Sequence, residues 1–191
     1  MGLILNTSTV IRNLSIGPLS GGGNGGGGGS SEPSYLAVGA FGVNSRAGAA
    51  YICDATNYSA TPTKLAPSGL GEYDYYGYSV AATSNQIVVG VPFDDDQGGD
   101  AGAVYVYDAN NLSASPTKLA PSGLNVGDNF GYSVAATSNQ IVVGAYKDDD
   151  QGGDAGAVYV YDANNLSATP TKLTATDGAT NDYFGYSVSL G

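Results

Sequence analysis

Histidine and tryptophan are absent from this chain of 191 residues, cysteine and methionine occur once each, and 6 basic residues stand against 17 acidic ones. Histidine is the commonest general base and the commonest transition-metal ligand, so its absence removes Ser-His-Asp, Cys-His and zinc constellations, and no P-loop pattern is present. With two arginines, two glutamates and no histidine, the chain lacks the clusters that enzymes built on repeated sheets expose, and no enzyme is expected. The net charge of −11 repels nucleic acid and anionic membranes and favours cations. Cys53 stands alone on a strand of alternating pattern, where a buried, inert thiol is the expected state. No apolar run approaches the roughly 20 residues of a membrane span, and residues 1–20 have no basic region ahead of a continuous apolar stretch. They read as neither signal peptide nor membrane anchor.

What the chain has instead is repetition. Tyr76-Gly-Tyr-Ser-Val returns as Phe130-Gly-Tyr-Ser-Val and Phe184-Gly-Tyr-Ser-Val, each 54 residues after the last. A period of this length means an array of one supersecondary unit. Within a unit, four short β-type runs alternate with clusters of Gly, Asn, Asp and Pro: residues 76–82, 86–92, 102–107 and 117–120. In the third run valine and tyrosine alternate and take opposite faces of the pleat. No helical period appears, so each unit is expected to be a four-stranded antiparallel sheet. The 30 glycines and 15 tyrosines suit tight turns and tyrosine-lined sheets.

The first unit begins only at its second strand, residues 35–39, and continues through 49–53 and 63–66, while residues 184–190 form a surplus first strand at the other end. That surplus strand is expected either to complete the first sheet, as closed propellers do to avoid an open edge, or to begin a further blade. Three blades fall below the usual minimum of about four. A longer array, blades from another copy, and closure of three sheets as a prism all remain open.

The succession Phe130-Gly-Tyr-Ser-Val134, Ile141-Val-Val-Gly-Ala145, an Asp-rich loop, and Gly156-Ala-Val-Tyr-Val-Tyr161 resembles the FG-GAP repeat of integrin α-subunit propellers, and more closely the bacterial and phage forms of that repeat. The resemblance runs from Tyr35 onward and recurs in every unit. It implies an all-β, propeller-like array over residues 35–191 that serves as an adhesive or ligand-binding surface.

The loop between second and third strands reads Asp94-Asp-Asp-Gln-Gly-Gly-Asp100 and again Asp148-Asp-Asp-Gln-Gly-Gly-Asp154. Alternating oxygen donors with a glycine for the sharp turn are what calcium requires. The resemblance implies calcium at Asp94, Asp96 and Asp100, and at Asp148, Asp150 and Asp154. Gly98 and Gly152 stand where a third side-chain ligand would be, and the first unit has no carboxylate in this loop. The other reading is a solvated acidic turn that discourages edge pairing. Asp74, Asp128 and Asp182, and likewise Asp54, Asp108 and Asp162, suit Asx-type turns rather than paired catalytic acids. Tyr105, Tyr107, Tyr159 and Tyr161 read as sheet-packing residues rather than sugar platforms.

Ahead of the repeats, residues 1–20 carry Leu3, Ile4, Leu5, Val10, Ile11, Leu14 and Ile16, and residues 21–34 form a glycine-rich flexible linker. The first segment reads as a docking peptide that orders on a partner, the alternative being a disordered tail. The function expected from these parts is a virion structural or adhesive protein, a bacteriophage tail or capsid appendage at the virion surface. Its partners would be other virion proteins through residues 1–20 and a host glycan or protein receptor, in a multicopy assembly without membrane insertion. The alternative is a fragment of a secreted, calcium-dependent bacterial adhesin.

Overall fold

The computed structural model describes residues 35–190 and the backbone of residues 14–16. Twelve strands form three antiparallel sheets: β1 (Leu14–Ile16), β2 (Tyr35–Gly39), β3 (Ala50–Asp54) and β4 (Thr63–Leu65); β5 (Ser79–Ala82), β6 (Gln86–Val91), β7 (Ala103–Asp108) and β8 (Thr117–Leu119); β9 (Phe130–Ala136), β10 (Gln140–Ala145), β11 (Ala157–Asp162) and β12 (Thr171–Leu173). Each sheet is a meander in chain order, and no helix occurs among the described residues. The four expected strands of the unit are all present, with no end displaced by more than three residues.

Alternation explains how the sheets stack. In β7, Val104 and Val106 enter the core shared with the third sheet, while Tyr107, with Tyr105 beside it, enters the core shared with the first. In β6, Val88 faces the third sheet and Ile87, Val89 and Val91 face the first. The middle sheet is thus apolar on both faces and buried between its neighbours. The first strands β1, β5 and β9 lie next to one another, and contacts run from first sheet to second and from second to third. This is the open succession of a propeller-like array rather than a closed three-sheet prism.

One ring closes each inter-sheet core. Tyr76 and Phe130 are wholly buried, packed edge-on against the third-strand tyrosines Tyr105 (5.6 Å) and Tyr159 (5.3 Å). The residue after each ring must be glycine for two reasons. Gly77 and Gly131 take φ of +83° and +91°, and a Cβ on Gly131 would lie 2.4 Å from the Ala103 carbonyl oxygen.

One expectation about the chain ends is corrected, and one left with two alternatives is decided. The first unit does not start at its second strand, because Leu14–Ile16 pairs with β2, Leu14 standing opposite Val38 as Val80 stands opposite Val89. Strand addition needs only backbone donors and acceptors in register, so a short segment without the Phe-Gly-Tyr-Ser-Val motif fills the edge. Part of the expected docking peptide is therefore a strand of the first sheet; the remainder of residues 1–20 and the linker 21–34 lie outside the described residues. At the other end, residues 184–190 do not complete the first sheet. Phe184 N–H donates to Ala155 O (2.9 Å) as Phe130 N–H does to Ala101 O (2.9 Å), and Ser133 Oγ donates to Gly185 O as Ser79 Oγ does to Gly131 O (2.7 Å each). The segment docks on the third sheet as the opening of a further unit.

Candidate functional site

The acidic loops fold back on the fourth strand of their own sheet. Lys118 of β8 donates to both oxygens of Asp94 (2.8 and 2.7 Å) and to Asp96 Oδ2 (2.5 Å). Lys172 of β12 reaches Asp148 Oδ2 (2.6 Å) and Asp150 Oδ2 (2.5 Å) in the same way. Each ammonium also lies 5.4 Å from the ring centroid of Tyr105 or Tyr159, and Tyr159 OH donates to Asp148 Oδ2 (3.0 Å). Asp94 and Asp148 are buried, whereas Asp96 and Asp150 stay in water. Burial works against the charged form of both lysines, but the carboxylate hydrogen bonds outweigh it and hold their pKa above the ordinary lysine value.

The structure therefore brings Asp94 to Asp96 and Asp148 to Asp150, around a cation carried by the chain itself. Asp100 and Asp154 are placed elsewhere, at φ of +55° and +56°, with Asp100 N–H donating to Asp95 Oδ1 (2.8 Å). No group of three or more acidic or thiol side chains suited to a metal occurs among the described residues. Two carboxylates already bonded to an ammonium fall short of the six to eight oxygens calcium takes. The lysines were missed by reasoning from the sequence, although Lys64, Lys118 and Lys172 stand at the same 54-residue spacing. In the first unit, where the loop has no carboxylate, Lys64 is exposed.

The remaining aspartates do the turn work expected of them. Asp54, Asp108 and Asp162 accept from the N–H two residues on (2.7, 2.9 and 2.9 Å). Asp74, Asp128 and Asp182 accept from the N–H three residues back, of Gly71, Asn125 and Ala179 (2.7 Å each). Asp128 is wholly buried and its Oδ1 has no partner. Burial, with the Asp148 and Asp149 charges adding, outweighs the Asn125 hydrogen bond and pushes its pKa up to about 6.

A second feature crosses all three units. The tyrosines of the repeated motif, Tyr78, Tyr132 and Tyr186, stack in sequence at 4.8 and 5.0 Å between centroids, and Tyr132 OH donates to Tyr186 OH (3.2 Å). Tyr146 packs against both Tyr132 (4.2 Å) and Tyr186 (5.3 Å), and Phe41 and Phe93 extend the row past Tyr78. The tyrosines of the row and Phe93 are partly exposed, Tyr186 by 54 %, whereas Phe41 is buried. By contrast Tyr107, Tyr159 and Tyr161 are buried and Tyr105 half-buried, the packing role expected of them. The row was legible only as recurrence of tyrosine at the third place of the motif.

A cleft of about 440 Å³ opens between β8 and the 166–170 loop, walled by Lys118, Asp150, Tyr159, Tyr161 and Lys172. Both ammonium groups there are committed to carboxylates, so neither serves as a base.

The family model for the FG-GAP repeat matches residues 61–107, 115–161 and 169–191. The chain belongs to the FG-GAP repeat family. Two of these matches begin two residues before β4 and β8 and close within or at the end of the following third strand, so the family unit spans the joint between consecutive sheets. The third match takes in β12 and the segment that opens a further unit. A search of curated proteins finds no match.

Proposed function

We propose that this FG-GAP repeat protein is a non-enzymatic structural and adhesive component of a virion, a bacteriophage tail or capsid appendage attached through its N-terminal segment. The aromatic row is the observation that carries the reading. A line of partly exposed tyrosines offers ring faces and hydroxyl groups together, the combination that suits a glycan or a protein receptor at a host surface. The absence of histidine from the chain and the commitment of both cleft lysines to ion pairs favour binding over catalysis.

The test is binding of the purified protein to host cells and to immobilised glycans. Tyr132→Ala and Tyr186→Ala should each weaken binding by roughly 5- to 10-fold, about 1 kcal/mol per lost aromatic contact, without lowering the melting temperature enough to unfold the array. Unchanged binding in both variants removes the row from the function.

A secreted calcium-dependent adhesin is the second reading, favoured by the pairing of Asp94 with Asp96 and of Asp148 with Asp150. Calcium at these loops would have to displace a lysine. A melting temperature higher in millimolar calcium than in chelator supports the adhesin, and intact protein in purified particles supports the virion component.

A further inference from the structure

We infer that the cleft between the second and third sheets is a binding site for one neutral sugar ring, held through the hydroxyl of Tyr161. No ring of the aromatic row lines this cleft, so the site is distinct from the surface proposed above. A difference between the two inter-sheet joints carries the inference. At the first joint, Tyr76 OH donates to Tyr107 OH (2.7 Å) inside the core. At the second, Tyr161 holds the place of Tyr107 but Phe130 holds the place of Tyr76, so the ring that closes the core brings no hydroxyl. Tyr161 is 4 % exposed, and its hydroxyl has no hydrogen-bond partner among the described residues. The described side-chain atoms that are both sealed from solvent and unpartnered are Asp128 Oδ1 and Asn129 Oδ1, so the Tyr161 hydroxyl is not sealed, and Tyr161 is in the wall of the cleft. Burial, with Tyr159 adding, raises its pKa above the ordinary tyrosine value, so the hydroxyl keeps its proton and can both donate and accept. A buried tyrosine hydroxyl ordinarily has a partner, and here the cleft is where one can enter.

The walls divide as a pyranose does, into apolar surface and hydroxyl groups. Pro121, Leu166 and Pro170 offer a surface for the C–H face of a sugar ring, and Ser122 and Thr169 stand beside them with hydroxyl groups for its edge. Asp150 bonds Lys172 through Oδ2, which leaves Oδ1 to accept from a sugar hydroxyl. The volume of about 440 Å³ lies within the roughly 300–1,000 Å³ of small-molecule sites. The charges point to a neutral ligand. Each ammonium is closed by two carboxylates, so no cation is left for an anionic ligand, and a cationic ligand would meet the like charges of Lys118 and Lys172. A ligand hydroxyl then does at Tyr161 what Tyr76 does at Tyr107.

The test is titration of the isotope-labelled full chain with glucose, galactose, mannose and N-acetylglucosamine, followed through its amide chemical shifts. At least one of these sugars should give saturable shifts centred on residues 119–123 and 166–170. Tyr161→Phe should weaken that binding roughly 5- to 10-fold, the size of one hydrogen bond. Phe130→Tyr supplies the hydroxyl that Tyr76 supplies at the first joint, and should weaken binding as much by occupying Tyr161. Tyr107→Phe, at the other joint, should bind as wild type. If Phe130→Tyr does not fold, Tyr161→Phe and Tyr107→Phe decide. The inference is overturned by the absence of saturable shifts with all four sugars, by tighter binding of glucosamine or glucuronic acid than of glucose, by wild-type affinity in Tyr161→Phe or in a folded Phe130→Tyr, or by an equal loss in Tyr107→Phe. Shifts centred on Tyr132 and Tyr186 instead would support the aromatic row and overturn the cleft, so the two readings fail separately.

Discussion

At the scale of single residues, the chain places carboxylates in two unlike settings. Asp94 is 3 % exposed and depends on Lys118, so removing the ammonium leaves a buried anion without its partner. Lys118→Met is expected to cost roughly 2–4 kcal/mol in chemical denaturation, at the lower side because Lys118 keeps part of its surface in water. Lys64→Met, in the unit whose loop lacks carboxylates, should stay within about 0.5 kcal/mol of wild type. Asp128 behaves oppositely. Its pKa rises from 3.8 in the open chain to about 6 in the folded one, so the folded state holds the proton more tightly. The stability this gives is complete below the unfolded value and is lost as pH rises through about 6. Asp128→Asn should therefore gain on wild type between pH 4 and pH 7.5, by at most about 3 kcal/mol for a shift of two units. Parallel denaturation curves with a pH-independent difference would remove Asp128 as the titrating group.

At the scale of elements, the strands were legible because valine–tyrosine and isoleucine–valine alternation has a single consequence in a sheet covered on both faces. The 54-residue recurrence likewise fixed the unit. The partners were not legible. Reading Asp94, Asp96 and Asp100 as one ligand set rested on nearness in sequence, which gave no sign of the lysine 24 residues on from Asp94 that bonds Asp94 and Asp96, nor of the Asp100 N–H bonding Asp95 Oδ1. The β1 strand escaped because three residues carry too little alternation to stand out beside a glycine run. Close approach of backbones is equally invisible until strands are placed: a Cβ on Gly90 would meet the Gly131 carbonyl oxygen and Ser79 Oγ, both at 2.1 Å. Gly90→Ala must push the first strand of the third sheet off the second, at a cost of about 3 kcal/mol or more. Ser79→Ala, which loses only the hydrogen bond to Gly131 O, should cost about 1 kcal/mol. Thermal unfolding of the two variants side by side separates backbone contact from hydrogen bonding, and equal losses would contradict the close approach.

At the scale of the whole molecule, the N-terminal segment completes the first sheet, and the proposed function gives it a second role, attachment to a partner. Residues 14–16 pair with β2 along Val38, Ala37 and Leu36 and cover an edge that would otherwise present unpaired N–H and C=O groups. Removing residues 1–12 leaves that strand, whereas removing residues 1–20 takes it away. The shorter deletion should melt with the full chain. The longer one loses two or three ladder hydrogen bonds, about 2–3 kcal/mol, and should melt roughly 5–10 °C lower with faster deuterium exchange in β2. Attachment is read separately, by the amount of each truncated protein recovered in assembled particles. A folded chain lacking residues 1–12 that no longer incorporates places the docking contacts on the aliphatic residues Leu3, Ile4, Leu5, Val10 and Ile11. Incorporation of that chain at the normal copy number would assign attachment to the sheets instead, and would leave the N-terminal segment with β1 as its one role.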